Sequence, residues 1–348
     1  MIARLSQNRV RRTYLGGSRI DAFTGVSADL SDGMTHPEDW TASTVAAFNG
    51  TEEVGGEGLG RLQDGRFVKD AAGELPILVK LLDSDERLVI QAHPTVECAK
   101  RLFDSAVGKT ECWYFLPGTA PDACVYLGFK PGVSREKWER AVWDYNGREQ
   151  ETRSAGVAGS ASRNPAPHVG NPLLEMLHRI PVKSGDFVFV DGGMPHAIGA
   201  GCFMIELQEP SDLMVVAERF TPSGRRIPDE KMHGCVGWNA MFDVYGYDGL
   251  EYGEICRRYV KRAVGEPCIC GRDFTDKFEM WRLNGGDSMR LDGAAAVAIA
   301  VDGAGSVNGF AAEKGARIAV FGEPEILVEG SLVLVVCFKQ LSQLQLSL

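Results

Sequence analysis

Short apolar runs broken by Gly- and Asp-bearing turns dominate the chain, and they predict more strands than helices. Residues 76–82 read as a buried strand, and 87–91 as a second one after the Asp83-Ser84-Asp85 turn. Pro94 sits at the first-turn position of a helix. Its apolar residues Val96, Ala99, Leu102, Phe103 and Ala106 fall at helical spacing, with Gly108 as a stop. Residues 111–116 and 123–129 read as further strands. Ser134 caps a helix over 135–145, residues 147–172 are polar and proline-containing and read as a mobile loop, and 173–179 resembles a short helix. Residues 187–190 and 203–208 are expected to pair as strands through the Gly-rich turn 191–201. Residues 251–264 show helical spacing at Ile255, Tyr259 and Ala263. After Pro267 the texture changes, and 278–283, 295–301, 316–321 and 331–338 alternate with Gly and Asp turns. That string of short strands predicts a second β barrel or sandwich.

At 348 residues the chain is long enough for about two domains. The formal net charge of −10 argues against a general nucleic-acid binder or a membrane-surface binder, both of which carry a basic face. No apolar stretch approaches the roughly 20 residues that span a bilayer, and the N-terminal residues lack the apolar core of a signal peptide. Nine scattered cysteines fit reduced thiols in a cytoplasmic protein better than a disulfide framework.

Four residues form a candidate metal constellation: Gln91, His93, Glu111 and His196. Gln91 and His93 are two apart on a predicted strand and so share a face. Glu111 begins the strand that follows the helix and can return to their neighbourhood. His196 follows the turn Gly192-Gly193-Met194-Pro195. Imidazole and oxygen ligands together suit zinc and, less selectively, manganese, iron or nickel. Each residue also has a plain reading, His93 marking a helix start and Glu111 a solvated strand end.

The runs Ile77-Leu78-Val79-Lys80-Leu81-Leu82 and Leu88-Val89-Ile90-Gln91-Ala92-His93-Pro94 resemble the signature of type I mannose-6-phosphate isomerases. So do Gly108-Lys109-Thr110-Glu111-Cys112-Trp113-Tyr114, the block from Gly185 through Pro195-His196-Ala197 to Gly201, and Glu206-Leu207-Gln208-Glu209-Pro210-Ser211-Asp212. Tyr14-Leu15-Gly16-Gly17 and Pro37-Glu38-Asp39-Trp40 are weaker matches. The resemblance implies a mainly β, cupin-type jelly-roll barrel with a helical insertion and a bound zinc ion. It implies a catalytic domain over 1–130 and 181–264, an insertion over 131–180 and a C-terminal β-barrel-like domain over 265–348 that packs on the first and shapes the pocket rim. Gln91, His93, Glu111 and His196 match the family's metal ligands. Lys109 and Glu206 match polar residues of its active site, Asp212 the acidic residue after its Glu-bearing strand, Lys80 a lysine near the sugar's phosphate, and Trp40 an aromatic residue at the pocket wall. The function implied is metal-dependent interconversion of mannose 6-phosphate and fructose 6-phosphate through an enediol, with Glu206, Lys109 and Asp212 as candidates for the proton-transferring group.

Three positions depart from the family. Val89 stands where members have Ser, Val216 where they have the active-site Arg, and Ser223 where some have Lys after Phe220-Thr221-Pro222. Losing a guanidinium matters because its planar donor fork suits phosphate and oxyanions. Arg219 is the nearby candidate to replace it, as oxyanion stabiliser and substrate contact; its plain reading is a solvated loop cluster with Arg225 and Arg226. Two further readings follow: an isomerase of a free sugar or another phosphosugar, and a non-catalytic metal-binding cupin that senses a sugar. The Cys268–Cys270 pair and His233 with Cys235 lack partners at metal-site spacing and read as structural.

Overall fold

The computed structural model describes residues 1–49, 56–154 and 171–340, with the side chains of 148–154 excepted. Four sheets are stacked, and every strand pairing in them is antiparallel. The seven-stranded sheet runs in the order Val260–Arg262, Asp186–Val190, Glu111–Phe115, Phe203–Gln208, Leu78–Asp83, Thr35–Thr41, Arg9–Arg12. Its strands are apolar almost throughout because both faces are covered. Leu82, Trp113, Phe115, Val188 and Met204 pack on Val125, Leu127, Ile180 and Ile198 of a five-stranded sheet. The alternate residues Val79, Leu81, Cys112, Ile205 and Leu207 pack on Ile269, Met280, Val297, Ile299 and Val335 of a six-stranded sheet. Period-two alternation with cover on each side produces such continuous runs.

The outer face of the five-stranded sheet is covered by Trp138 and Val142 of the helix Arg135–Ser154, with Phe242 and Tyr245 alongside. A four-stranded sheet closes the far side of the six-stranded one around Leu291, Ile326, Val328 and Leu334. Ile2–Arg4 pairs with Arg317–Val320, so the first strand of the chain lies in the six-stranded sheet although it precedes the residues of the site.

Several elements differ from expectation. The strand expected over 87–91 is Gln91–Ala92 alone. The following helix is Val96–Leu102, with Thr95 Oγ1 accepting the Cys98 N–H at 3.1 Å, and it ends well before Gly108. The helix begun at Arg135 continues to Ser154; the rest of the expected mobile loop, 155–170, lies outside the described residues. Residues 173–179 hold one 3-10 turn, Leu174–Met176, and then the strand Leu177–Pro181, which pairs with Cys124–Phe129. Asp186–Val190 and Phe203–Gln208 are not neighbours. Glu111–Phe115 lies between them, because the segment joining them is no hairpin turn: it carries the strand His196–Ile198 into the five-stranded sheet. The helix expected over 251–264 stops at Tyr259, where Val260–Arg262 joins the seven-stranded sheet.

Candidate metal centre and adjoining cavity

The two sheets that face each other deliver the four sequence-selected residues to one point. His196 lies opposite Gln91 in the five-stranded sheet, and Glu111 lies opposite Gln208 in the seven-stranded one. His93 Nε2 is 3.2 Å from Glu111 Oε2, His196 Nε2 is 3.4 Å from Glu111 Oε1, and Gln91 Nε2 is 3.2 Å from His196 Nε2. Turning the Gln91 amide over would present its oxygen at that same place. The donor atoms of His93, Glu111 and His196 lie within 4.8 Å of one another, and all three residues are buried.

Each imidazole is held by its other nitrogen. His93 Nδ1 donates to the Leu213 carbonyl and His196 Nδ1 to the Met194 carbonyl, both at 2.9 Å. That fixes the tautomer with the Nε2 lone pair turned inward, the arrangement a metal-ligating histidine needs. Burial pushes His196 down to about 3 and lowers His93 as well, with the Lys109 ammonium adding to the effect on His93, so both rings are neutral. Burial opposes charge on Glu111, but the carboxyl is held well below the usual range, with the Lys109 ammonium as the largest favourable influence. Neither Glu111 oxygen accepts a hydrogen bond, although Lys109 Nζ stands 3.2 Å from Oε2. Two orphaned carboxylate oxygens beside two inward nitrogen lone pairs fit a divalent cation of the zinc class.

A cavity opens beside this centre. Gln91, Lys109, Lys80 and Glu206 line it, as do Arg12, Glu38, Asp212 and Lys231. Lys80 lies opposite both Trp40 and Glu206, which sets a row across three strands. Lys80 Nζ donates to Glu206 Oε1 at 2.7 Å. Burial pushes the Glu206 carboxyl up, and Lys80 restrains that rise. Lys80 itself reaches about 12, because Glu206 and Glu38 overcome its burial. Glu38 accepts from Trp40 Nε1 at 2.7 Å, Tyr14 Oη at 2.8 Å and Arg12 Nε at 3.1 Å. Burial acts against charge there too, yet Arg12, Lys80 and these hydrogen bonds hold Glu38 at about 2.

Gln91, Lys109, Lys80, Glu206 and Asp212 therefore gather around one cavity with the metal centre. Trp40 is not among the lining residues: the indole is fully buried and donates to Glu38, and the Arg12 and Lys80 cations of the cavity lie 4.9 and 5.0 Å from its ring centre. Arg219 does not join the site either. Its backbone N–H is tied to Asn146 Oδ1 at 2.8 Å, and its guanidinium turns to Asp229 and lies 5.7 Å from the Trp238 ring. Val89 and Val216 do line the cavity, and the Ser223 hydroxyl donates to Glu86 at 2.9 Å instead of facing it. Among the described residues none after Lys231 lines the cavity, and the six-stranded sheet packs on the face of the seven-stranded one that carries Val79 and Leu81.

Sequence reasoning missed Arg12, Tyr14, Glu38 and Lys231. In Arg9–Arg12 the positions alternate in burial, with Val10 and Arg12 turned inward on one face. His233 packs on Trp238 at 4.8 Å between ring centres, and Cys235 is exposed.

Comparison with known proteins gives the same direction. Residues 26–111 match the family model for the phosphomannose isomerase type I catalytic domain. Mannose-6-phosphate isomerase ManA of Bacillus subtilis (strain 168) is 32% identical over 157 residues, covering 44% of this chain and 38% of the relative. Mannose-6-phosphate isomerase of Streptococcus mutans is 29% identical over 147 residues, 42% of this chain and 37% of the relative. The matched stretches thus span little more than a third of these relatives' lengths. The fold likeness extends much further. The mannose 6-phosphate isomerase structure from Bacillus subtilis has a TM-score of 0.64 at 18% identity, covering 97% of this chain and 99% of that one. A variant of phosphomannose isomerase from Salmonella typhimurium has a TM-score of 0.69 at 14% identity, with 98% and 100% covered. The mainly β fold of this chain is therefore the cupin-type fold of those enzymes.

Proposed function

We propose that this chain, whose residues 26–111 match the type I phosphomannose isomerase catalytic domain, interconverts mannose 6-phosphate and fructose 6-phosphate through an enediol. The observation that carries the reading is the buried His93–Glu111–His196 group opening beside Glu206, Lys80 and Lys109 in one cavity. Gln91, His93, Glu111 and His196 would hold zinc, which supplies Lewis acidity for negative charge developing on the sugar oxygens.

The remaining chemistry falls to the side chains. The reaction moves a proton between adjacent carbons, and Glu206 is the group we assign to take and return it. Burial raises its proton affinity towards the working range, and its bond to Lys80 keeps one oxygen fixed. Asp212 is less free for that task, because Arg12 and the Phe48 N–H occupy it. The Lys109 ammonium, now beside His93 and Glu111, is placed to donate to a sugar oxygen bound next to them. All nine cysteines are unpaired, which suits a reducing compartment such as the cytoplasm. Among the described residues no helix is long and apolar enough to cross a membrane.

A proton NMR time course on zinc-loaded protein tests the reading, with mannose 6-phosphate and mannose offered separately. Conversion of mannose 6-phosphate to fructose 6-phosphate is the expected result, and no conversion would end it. Conversion of mannose alone would replace it with a free-sugar isomerase, the reading that Val89 and Val216 on the cavity wall favour.

A further inference from the structure

Four cations line the cavity, and three are matched by carboxylates. Arg12 is bonded to Glu38 and Asp212, Lys80 to Glu206, and Lys109 lies beside Glu111. Lys231 is different. Its Nζ donates to the neutral Asn49 Oδ1 at 3.2 Å, and among the described residues no carboxylate lies within salt-bridge distance. Yet Lys231 is only 8% exposed. A buried ammonium without a counter-ion costs free energy. Burial and the neighbouring Arg12 guanidinium accordingly push it down to about 8, in spite of Asp212 and Glu38.

Its position is as informative as its pairing. Lys231 lies in the short helix Asp229–Met232, whose last two residues turn inward. With Asp212 and Met214 it lines both the cavity and a second groove floored by Phe48, Phe103 and Val236. It therefore marks the junction of cavity and groove, while Gln91 and Lys109 mark the metal side. The hydroxyl, guanidinium and ammonium that the family would bring to a phosphate are absent at Val89, Val216 and Ser223.

Resting on the isomerase reading above, we infer that Lys231 binds the phosphate ester of the sugar and is the residue that selects a phosphorylated over a neutral substrate. A phosphate seated there would give Lys231, which among the described residues has no carboxylate partner, a counter-ion and a charge-assisted hydrogen bond. Arg12 contributes less, because both of its edges are already engaged by carboxylates.

Calorimetric titration of zinc-loaded protein with mannose 6-phosphate, mannose and inorganic phosphate tests this separately from turnover. Lys231→Met should weaken mannose 6-phosphate binding by roughly 10- to 100-fold, the range for a hydrogen bond to a charged group, and leave mannose binding unchanged. Lys231→Arg should restore part of the loss. Lys231→Gln keeps a partner for Asn49, and must behave like Lys231→Met if charge and not folding is responsible. Inorganic phosphate should bind the wild type and lose affinity in Lys231→Met, which separates an anion site from recognition of the sugar ring. Wild-type affinity for mannose 6-phosphate in Lys231→Met, an equal loss for mannose, or no binding of mannose 6-phosphate by the wild type would overturn the inference. Tight, Lys231-dependent binding without conversion would support it while ending the isomerase reading.

Discussion

Arg12 and Asp212, 200 residues apart in the chain, meet in two hydrogen bonds of 3.2 Å from one guanidinium nitrogen to both carboxylate oxygens. The contact ties the edge strand Arg9–Arg12 to the segment that follows Phe203–Gln208, and Arg12 grips Glu38 as well. Arg12→Met would leave buried Asp212 without its ion-pair partner and Glu38 with Lys80 alone. Removing one partner of a buried pair costs about 3–5 kcal/mol, so urea unfolding should show a loss of that order. Arg219→Met, by contrast, removes a guanidinium that pairs with Asp229 and lies over Trp238, away from the cavity lining, and should leave turnover unchanged. A large activity loss in Arg219→Met would return that residue to the site.

His196→Ala should abolish stoichiometric metal binding and turnover with the far-ultraviolet circular dichroism preserved. The ring contributes a ligand at the end of a short strand, and its removal leaves the sheet pairing of Ala197 and Ile198 in place. Metal analysis after dialysis checks the claim, and a retained equivalent of zinc would remove His196 from the ligand set.

Glu206→Gln preserves shape and the ability to accept from Lys80 but cannot take a proton. The expected fall in kcat is about two to four powers of ten, with metal content and KM for mannose 6-phosphate close to wild type. Steady-state kinetics beside metal analysis would show it. A near-normal kcat would move the proton-transfer role to Lys109 or Asp212.

Acid should weaken the fold through Glu38. Its carboxyl is held at about 2 against an ordinary 4.5, so its stabilising contribution is complete above pH 4.5 and disappears as pH falls from there through 2. The interval corresponds to on the order of 3 kcal/mol. Chemical unfolding of wild type and Glu38→Gln between pH 6 and 3 should show a slope in the former that is reduced in the latter. Parallel pH dependences would locate the acid sensitivity elsewhere.

The candidate metal ligands were readable because each stands in a local pattern. Gln91 and His93 are two apart at the end of an apolar run, Glu111 opens a strand, and His196 follows a glycine turn. Four strands of the six-stranded sheet, Glu279–Asn284, Ala296–Asp302, Arg317–Val320 and Val333–Phe338, were equally visible as apolar runs between Gly and Asp, whereas the short, partly exposed strands of the four-stranded sheet were not read. What the chain did not disclose was register. Arg12 reaches the cavity only because its strand pairs with Thr35–Thr41, and nothing local specifies that pairing. Lys231 sits in a polar run, Asp229-Glu230-Lys231, that reads as surface, and only the tertiary fold turns it inward. Arg219 went the other way: spacing put it near the site, but Asp229 ten residues on captured its guanidinium. Residues 187–190 and 203–208 misled for a related reason, since a turn-like segment concealed a strand bound for another sheet.

The strand Leu78–Asp83 serves two surfaces at once, Lys80 turned to the cavity and Val79 with Leu81 turned to the six-stranded sheet. Such a strand binds the inheritance of the two halves together. A gene rearrangement that discarded the C-terminal sheets would lay bare Val79, Leu81, Ile205 and Leu207, an apolar face prone to association. One that shifted the strand by a single residue would exchange a lysine for a valine beside Glu206. Exchange of modules among relatives is thus open only to replacements that bring a matching cover for the back of this sheet.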